Sequence, residues 1–189
     1  VLENVDRLLK APSNQRGRDF AIMLAAFNQL GYSVEWRVIN AADYGRAQRR
    51  RRVFFFVFRN DTKWGERLHT KYEATLSNDA DLNARLDCYA PYIFEDGLFG
   101  RQFPVKNEAV KKRINANKLD EDIAEVSANF SDGKMWNSGL MTNGYYYTIE
   151  TEPKGDEEPI PMKKIVVKEN QVPEDYYVDG EKLEKFKYL

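Results

Sequence analysis

The order of apolar and polar positions divides the first 60 residues into one helix and two strands. Apolar residues recur at the spacing i, i+3, i+4, i+7, formed by Phe20, Met23, Leu24, Phe27 and Leu30. This spacing predicts an amphipathic helix that ends at Gly31. Residues 32–39 alternate, which predicts a strand with one apolar face. The uninterrupted apolar run 53–58 predicts a second strand, buried on both faces.

Less regular segments complete the element order. Residues 1–5 resemble the end of a strand, and residues 40–47 resemble a turn or short helical link. The first 61 residues therefore predict part of an α/β layer. Residues 62–189 predict an irregular α+β region, whose candidate elements are two helices near 107–118 and 120–129 and a hairpin within 131–148.

Four consecutive arginines, residues 49–52, lead directly into the apolar run. Alternation along a strand sends Arg50 and Arg52 to one side and Arg49 and Arg51 to the other. Because burying a guanidinium without partners is costly, this cluster predicts anionic or acceptor-rich surroundings. Those surroundings could be a structural carboxylate, or a phosphate and a base edge.

Charge is divided unevenly along the chain. The net charge is -1, but residues 1–60 hold 11 Lys and Arg against 5 Asp and Glu, and the remainder holds 18 against 25. A basic first third predicts a localised anionic partner, of which nucleic acid is the commonest. A solvated basic face is an equally good interpretation of the charge alone. The acidic segment 155–158 is expected to lie away from DNA, because it would repel phosphates.

Cysteine and histidine usage limits the candidate chemistry. The single cysteine, Cys88, excludes an internal disulfide and is predicted to be a buried or half-buried structural residue. His69 has no Cys or His nearby in sequence, so no metal site is expected. No apolar run approaches the roughly 18 residues that span a bilayer, so we expect a cytoplasmic protein without membrane contact.

Glu3 and the arginines are the candidate reactive groups. A carboxylate at the carboxyl end of a strand lies where open α/β sheets place their ligands, and Arg50 and Arg52 could converge on the same site. From the residues alone, a capping or salt-bridge residue is the preferred interpretation of Glu3 over a catalytic one.

Taken together, these segments resemble the DNA (cytosine-5) methyltransferase family over about residues 1–61. The resemblance rests on Glu3-Asn4-Val5, Gly31-Tyr32, the segment 40–45 and the Gln-x-Arg-x-Arg motif of Gln48, Arg50 and Arg52. The segment 131–141, which contains Trp136-Asn137-Ser138-Gly139, is similar to a Trp-x-Asn-Ser-Gly pattern in one branch of that family, and residues 172–178 and 183–189 are also similar to that branch. The resemblance implies part of a Rossmann-like, S-adenosylmethionine-dependent sheet, comprising its late strands and one helix. A target-recognition region over residues 62–189 would follow.

The resemblance also implies roles for five residues. Glu3 would contact N3 of a flipped-out cytosine, and Arg52 would hydrogen-bond its O2. Arg50 would hold the catalytic loop and a neighbouring phosphate, Gln48 would support this segment, and Asn4 would orient its neighbours. The implied partner is double-stranded DNA, in a bacterial or phage modification system that a companion restriction endonuclease could accompany.

Three of the family's motifs are missing, among them the closing Gly-Asn-Ser segment expected near the family's C-terminus. The sequence contains no Pro-Cys motif and no glycine-rich loop before Glu3, so no residue of the chain is predicted to bind S-adenosylmethionine. We therefore expect an internal or C-terminal fragment of an enzyme, inactive alone. Exposed strand edges should make it marginally stable or prone to self-association.

Three alternatives remain open on the sequence. The chain could be a non-catalytic relic that binds nucleic acid, or a relative that methylates cytosine in tRNA. It could also be an ordinary structural α/β fragment in which Glu3 and Arg52 form a salt bridge.

Trp136 is expected to pack in the core rather than contact DNA.

Overall fold

The computed structural model describes residues 1–77, 79–106, 113–120, 122–131 and 134–186. The strands are β1 Leu2–Asn4, β2 Tyr32–Asn40, β3 Arg51–Arg59, β4 Ile114–Lys118, β5 Ser138–Thr142 and β6 Tyr145–Ile149. The α-helices are α1 Arg18–Gln29, α2 Lys63–Lys71, α3 Leu82–Pro91, α4 Leu98–Gln102, α5 Ile123–Asn129 and α6 Gly180–Phe186. Short 3-10 turns and one π-helical turn at Tyr92–Asp96 connect them.

The six strands form one sheet in the order β1-β3-β2-β5-β6-β4. Every pairing in it is antiparallel. The predicted mixed α/β class is confirmed, and the Rossmann-like character of the sheet stays a prediction. Strands from both sides of residue 61 share the sheet, because β2 hydrogen-bonds directly to β5. The functional division at residue 61 stays a prediction.

The local elements of the first 60 residues are confirmed. Helix α1 ends just before Gly31, whose φ of +77° lies in the left-handed region that favours glycine at a helix end. Strands β2 and β3 lie where the alternating and continuous apolar patterns predict them. Burial of β3 is less even than expected, since Phe54 and Phe56 remain half-exposed. The first strand and the link Ala41–Tyr44 are also present.

Helices cover both faces of the sheet and create two apolar cores. On the face of α1 and α5, the buried residues include Leu9, Phe20, Leu24, Trp36, Phe55, Val126 and Met141. On the face of α2 and α3, they include Phe58, Leu68, Tyr89, Tyr92, Ile93, Leu140 and Tyr147. The two cores leave the strand ends of β1, β2 and β3 accessible at one end of the sheet.

The second half of the chain departs from its sequence pattern in one place. The predicted helix at 107–118 is wrong over residues 114–118, which form β4, and residues 107–112 lie outside the described residues. These residues form a strand because they pair with β6. The Asn117 amide donates a 2.8 Å hydrogen bond to the Tyr146 hydroxyl across the two strands. Helix α5 and the β5–β6 hairpin confirm the other two predictions in this region.

The chain divides into two compact units, Val1–Pro159 and Ile160–Leu189. The first contains the sheet and both cores. The second contains α6 and short 3-10 turns, and its apolar side chains, such as Val166 and Tyr176, are largely exposed. No helix in the described part of the chain is long and apolar enough to cross a membrane.

Candidate active site

Strand pairing brings Glu3 and Arg52 together at the open end of the sheet. Strand β1 runs antiparallel to β3 with Glu3 opposite Phe54, so Arg52 lies one pleat away on the same face. Arg52 Nε donates to Glu3 Oε1 at 2.7 Å. The Arg52 side chain is 25% exposed and that of Glu3 is 45% exposed, so the pair is open to a ligand.

A cleft of about 640 Å³ opens above this ion pair. Its lining includes Gln48 and Arg50, which the sequence predicts as substrate-binding residues, together with Arg46. Ile39 and Phe54 supply apolar surface beside the pair. The volume falls in the range of small-molecule sites, and most of the lining side chains are polar or charged.

Other cleft residues were missed by sequence reasoning. Tyr44 and Phe103 pack edge to face with ring centroids 5.1 Å apart, and both line the cleft with Gln102. Burial raises the pKa of the Tyr44 hydroxyl, against the opposing charge of Arg37. Tyr44 could have been suspected because it lies within the 40–45 motif, whereas no pattern around Phe103 indicates a site.

One residue of the acidic segment 155–158 lies beside the arginines of the cleft. Glu157 lines the cleft, and its carboxylate lies so close to Gly45 that a Cβ there would come within 2.9 Å of Oε2. Gly45 has a φ of +73°, as the C-terminal cap of the Ala41–Tyr44 turn. Glu157 therefore shares the cleft with Arg50 and Arg52, and the expectation that the segment lies away from DNA stays a prediction.

Asn4 and Arg51 point to the opposite face. Asn4 lies opposite Val53 in the register, and its Oδ1 accepts from the Val5 backbone N–H at 2.8 Å. Arg51 Nε pairs with Asp6 Oδ2 at 3.3 Å. The predicted alternation of the arginines is thus visible, and Asn4 is the one predicted site residue that does not line the cleft.

A second Glu/Arg pair, on β2, holds one wall of the cleft in place. Glu35 is 1% exposed and Arg37 is 2% exposed. The Glu35 carboxylate accepts the backbone N–H groups of Leu98 and Phe99, both at 2.8 Å. It thereby caps the first turn of α4, where N–H groups lack partners within the helix.

Arg37 binds the other ends of the same segment. Its guanidinium donates to the backbone carbonyls of Ile93, Phe99 and Phe103, the last at 2.7 Å. Burial raises the pKa of Glu35, an effect that the N–H donors and the Arg37 charge oppose, and burial lowers the pKa of Arg37. The pair therefore fixes residues 92–103, which end in the cleft residues Gln102 and Phe103.

Comparison with known proteins assigns the chain to a family. The family model for C-5 cytosine-specific DNA methylase matches residues 1–184. The chain belongs to the C-5 cytosine-specific DNA methylase family. It is 44% identical over 189 residues to the Type II methyltransferase M.Sau3AI of Staphylococcus aureus, covering 100% of this chain and 41% of that relative.

Shorter similarities extend to other Type II methyltransferases. The Type II methyltransferase M.HaeII of Haemophilus aegyptius is 25% identical over 120 residues, 64% of this chain and 33% of the relative. M.HhaI of Haemophilus parahaemolyticus, also a Type II methyltransferase, is 37% identical over 60 residues, 32% of this chain and 17% of the relative. The chain thus spans well under half the length of these relatives, and no solved structure matches it.

Cys88 does not lie in the cleft of this methylase chain. It is half-buried in α3, where its thiol donates to the Tyr72 carbonyl at 3.1 Å. Its predicted structural environment is confirmed. His69 Nδ1 lies 2.7 Å from Glu73 Oε2, and the described residues contain no cluster of His, Cys, Asp and Glu that could hold a metal ion.

Proposed function

We propose that the native protein containing this chain transfers a methyl group to C5 of a flipped-out cytosine in double-stranded DNA. The observation that carries the proposal is the convergence of Glu3 and Arg52, 2.7 Å apart, in a cleft shared with Gln48 and Arg50. Family membership supports the same chemistry. The base must leave the duplex, because its reacting edge is inaccessible in the stack.

Glu3 acts on the cytosine ring. By sharing or donating a proton at N3, its carboxyl group withdraws electron density and makes C6 electrophilic toward a cysteine thiolate. Once the sulfur–carbon bond has formed at C6, C5 becomes the nucleophile. Arg52 hydrogen-bonds O2 and stabilises the charge that builds up on the ring.

The remaining cleft residues position the nucleotide. Arg50 binds the neighbouring phosphate and braces the catalytic loop, while Gln48 supports the segment that carries both arginines. Tyr44 and Phe103 offer aromatic surface against which an extruded base can pack. Asn4, on the other side of β1, acts only through the backbone that it orients beside Glu3.

We place the methyl donor and the nucleophile outside the cleft. S-Adenosylmethionine supplies an electrophilic methyl group when bound, but the cleft presents guanidinium groups and a carboxylate, which fit a base and its phosphate better than a cationic sulfonium. We assign the attack at C6 to a cysteine other than Cys88 and expect the 189-residue chain alone to be inactive. The Rossmann-like order of the catalytic sheet is likewise proposed for the native protein only, as is a companion restriction endonuclease.

Glu3→Gln in the native protein tests this assignment. Methyl transfer from labelled S-adenosylmethionine to unmethylated genomic DNA should fall by about 10²–10⁴-fold, because the proton at N3 is no longer supplied. Glu66→Gln is the matched control, since Glu66 is an exposed residue in the first turn of α2 outside the cleft. Unchanged transfer by Glu3→Gln would remove Glu3 from the mechanism.

The same assay with tRNA as acceptor separates the substrate classes. Transfer to duplex DNA alone supports the proposal, and transfer to tRNA alone would make the protein an RNA-directed relative. Binding of duplex DNA without transfer to either acceptor would make it a non-catalytic relic.

A further inference from the structure

A second groove lies on the opposite face of the sheet from Glu3 and Arg52. It has a volume of about 240 Å³ and includes Val38 and Trp136 in its lining. We call it the basic groove after four cationic side chains in that lining, Lys10, Arg16, Arg51 and Lys134. A neighbouring pocket shares Arg16 and Lys134 with it, so the cationic surface continues beyond the groove.

Three of these cations lack a carboxylate partner in the part of the chain that the structure describes. Lys10, Arg16 and Lys134 are all exposed. The ammonium group of Lys134 lies 5.5 Å from the centroid of the Trp136 ring. Like charges held close together repel one another, so such a cluster is stabilised by a bound anion.

The carboxylates in the groove are already engaged. Asp6 pairs with Arg51 at 3.3 Å, and Glu150 pairs with Arg113. The groove therefore keeps a positive balance of charge. Exposed lysine and arginine side chains of this kind act mainly as charges toward phosphate oxygens and carry no direct sequence information.

The basic groove and the cleft open at the same strand ends. On β2, Val38 lines the groove and the next residue, Ile39, lines the cleft. On β3, Arg51 lines the groove and Arg52 lines the cleft. The two sites are thus separated only by the thickness of the sheet at its open end.

We propose that the basic groove binds the phosphodiester backbone of the duplex whose flipped cytosine enters the cleft. This inference rests on the proposed function, because the cleft defines where the duplex approaches. Backbone contacts on the far side of the strand ends hold the DNA in register while the target base leaves the stack. Lys10, Arg16 and Lys134 supply those contacts.

Neutralising the three cations in the native protein tests the inference. Fluorescence anisotropy with a labelled duplex of mixed sequence gives the affinity of K10Q/R16Q/K134Q across a salt series. The slope of log Kobs against log[salt] should become shallower by about 0.9 for each lost phosphate contact, or roughly 2.7 for three. The loss of affinity should be similar on unrelated sequences.

A second triple variant controls for net charge. K63Q/R67Q/K118Q removes the same charge from exposed residues that line neither the groove nor the cleft. Equal slopes for the two triple variants would overturn the inference, as would weaker binding of tRNA without weaker binding of the duplex. Methyl transfer by the unsubstituted native protein tests the proposed function separately. A shallower slope in a protein that transfers no methyl group would keep the groove as a DNA site while the proposed function fails.

Discussion

Two glutamate and arginine pairs occupy the same face of the sheet, and their surroundings differ. Glu35 and Arg37 on β2 are buried, and each hydrogen-bonds to backbone groups of residues 92–103. Glu3 and Arg52, on β1 and β3, bond directly to each other and face an open cleft. The residue types are identical, so composition alone cannot separate a structural pair from a reactive one.

The two pairs differ in whether the glutamate carboxylate is free to hydrogen-bond to a ligand. The Glu35 carboxylate accepts hydrogen bonds from two backbone N–H groups and from the Tyr92 hydroxyl, so its acceptor oxygens are engaged by other parts of the fold. Glu3 is 45% exposed and can exchange its partner for a base. Exposed ion pairs contribute little to stability, whereas breaking a buried one is costly. Mutation should therefore lower the free energy of unfolding much more in the buried pair than in the exposed pair.

Arg37→Met should have the largest effect on stability. It leaves the Glu35 carboxylate buried without its neighbouring charge and removes the donor from three backbone carbonyls. We expect the free energy of unfolding of the native protein, measured by urea denaturation, to fall by about 3–5 kcal/mol.

Arg59→Met is the control for this change. Arg59 ends β3, pairs with Asp61, and its side chain is 58% exposed, so its loss should shift the free energy of unfolding by less than about 1 kcal/mol. Equal losses for the two variants would show that Arg37 is no more structural than a surface arginine.

The sequence patterns predict those elements whose conformation depends on their own residues and not on distant partners. Helix α1 and strand β3 follow from the spacing and length of their apolar runs, and Gly31 marks a helix end through its own backbone conformation. Strand β4 was misread because its conformation depends on pairing with β6, about 30 residues later in the chain. Local propensity gives way to such pairing.

The candidate site was predictable only in part, for a similar reason. Glu3 and Arg52 were identified by motif and expected to meet if their strands were neighbours, and the β1–β3 register makes them so. Glu35 and Arg37 look like ordinary polar positions of an alternating strand. Their partners lie on residues 92–103, and backbone N–H and carbonyl groups leave no signature in a sequence.

Gly97→Ala should have an intermediate effect. Gly97 precedes α4, and a Cβ there would lie 2.5 Å from Glu35 Oε1. The carboxylate must move away from the N–H groups that it caps, which should lower the free energy of unfolding by about 1–3 kcal/mol.

Gly180→Ala is the matched control, because no atom lies within 4 Å of its added methyl group. Its free energy of unfolding should be unchanged or rise by up to about 1 kcal/mol. If urea denaturation gave the same change in the free energy of unfolding for both alanine variants, the close packing of Glu35 would not explain why residue 97 is glycine.

Glu3→Gln should have the smallest effect on stability, although we expect it to have a large effect on methyl transfer. The Glu3–Arg52 pair is partly solvated, so replacing the carboxylate by an amide should lower the free energy of unfolding by about 0–1 kcal/mol, and by less at high salt.

Glu35→Gln makes the identical chemical change in the buried pair. There the new amide NH₂ must face the N–H of Leu98 or Phe99, so the loss should reach about 1–3 kcal/mol. Urea denaturation of both variants beside their methyl-transfer rates gives the decisive comparison. If Glu3→Gln cost as much stability as Glu35→Gln, any loss of its activity would reflect a damaged fold, and Glu3 would be a structural partner of Arg52.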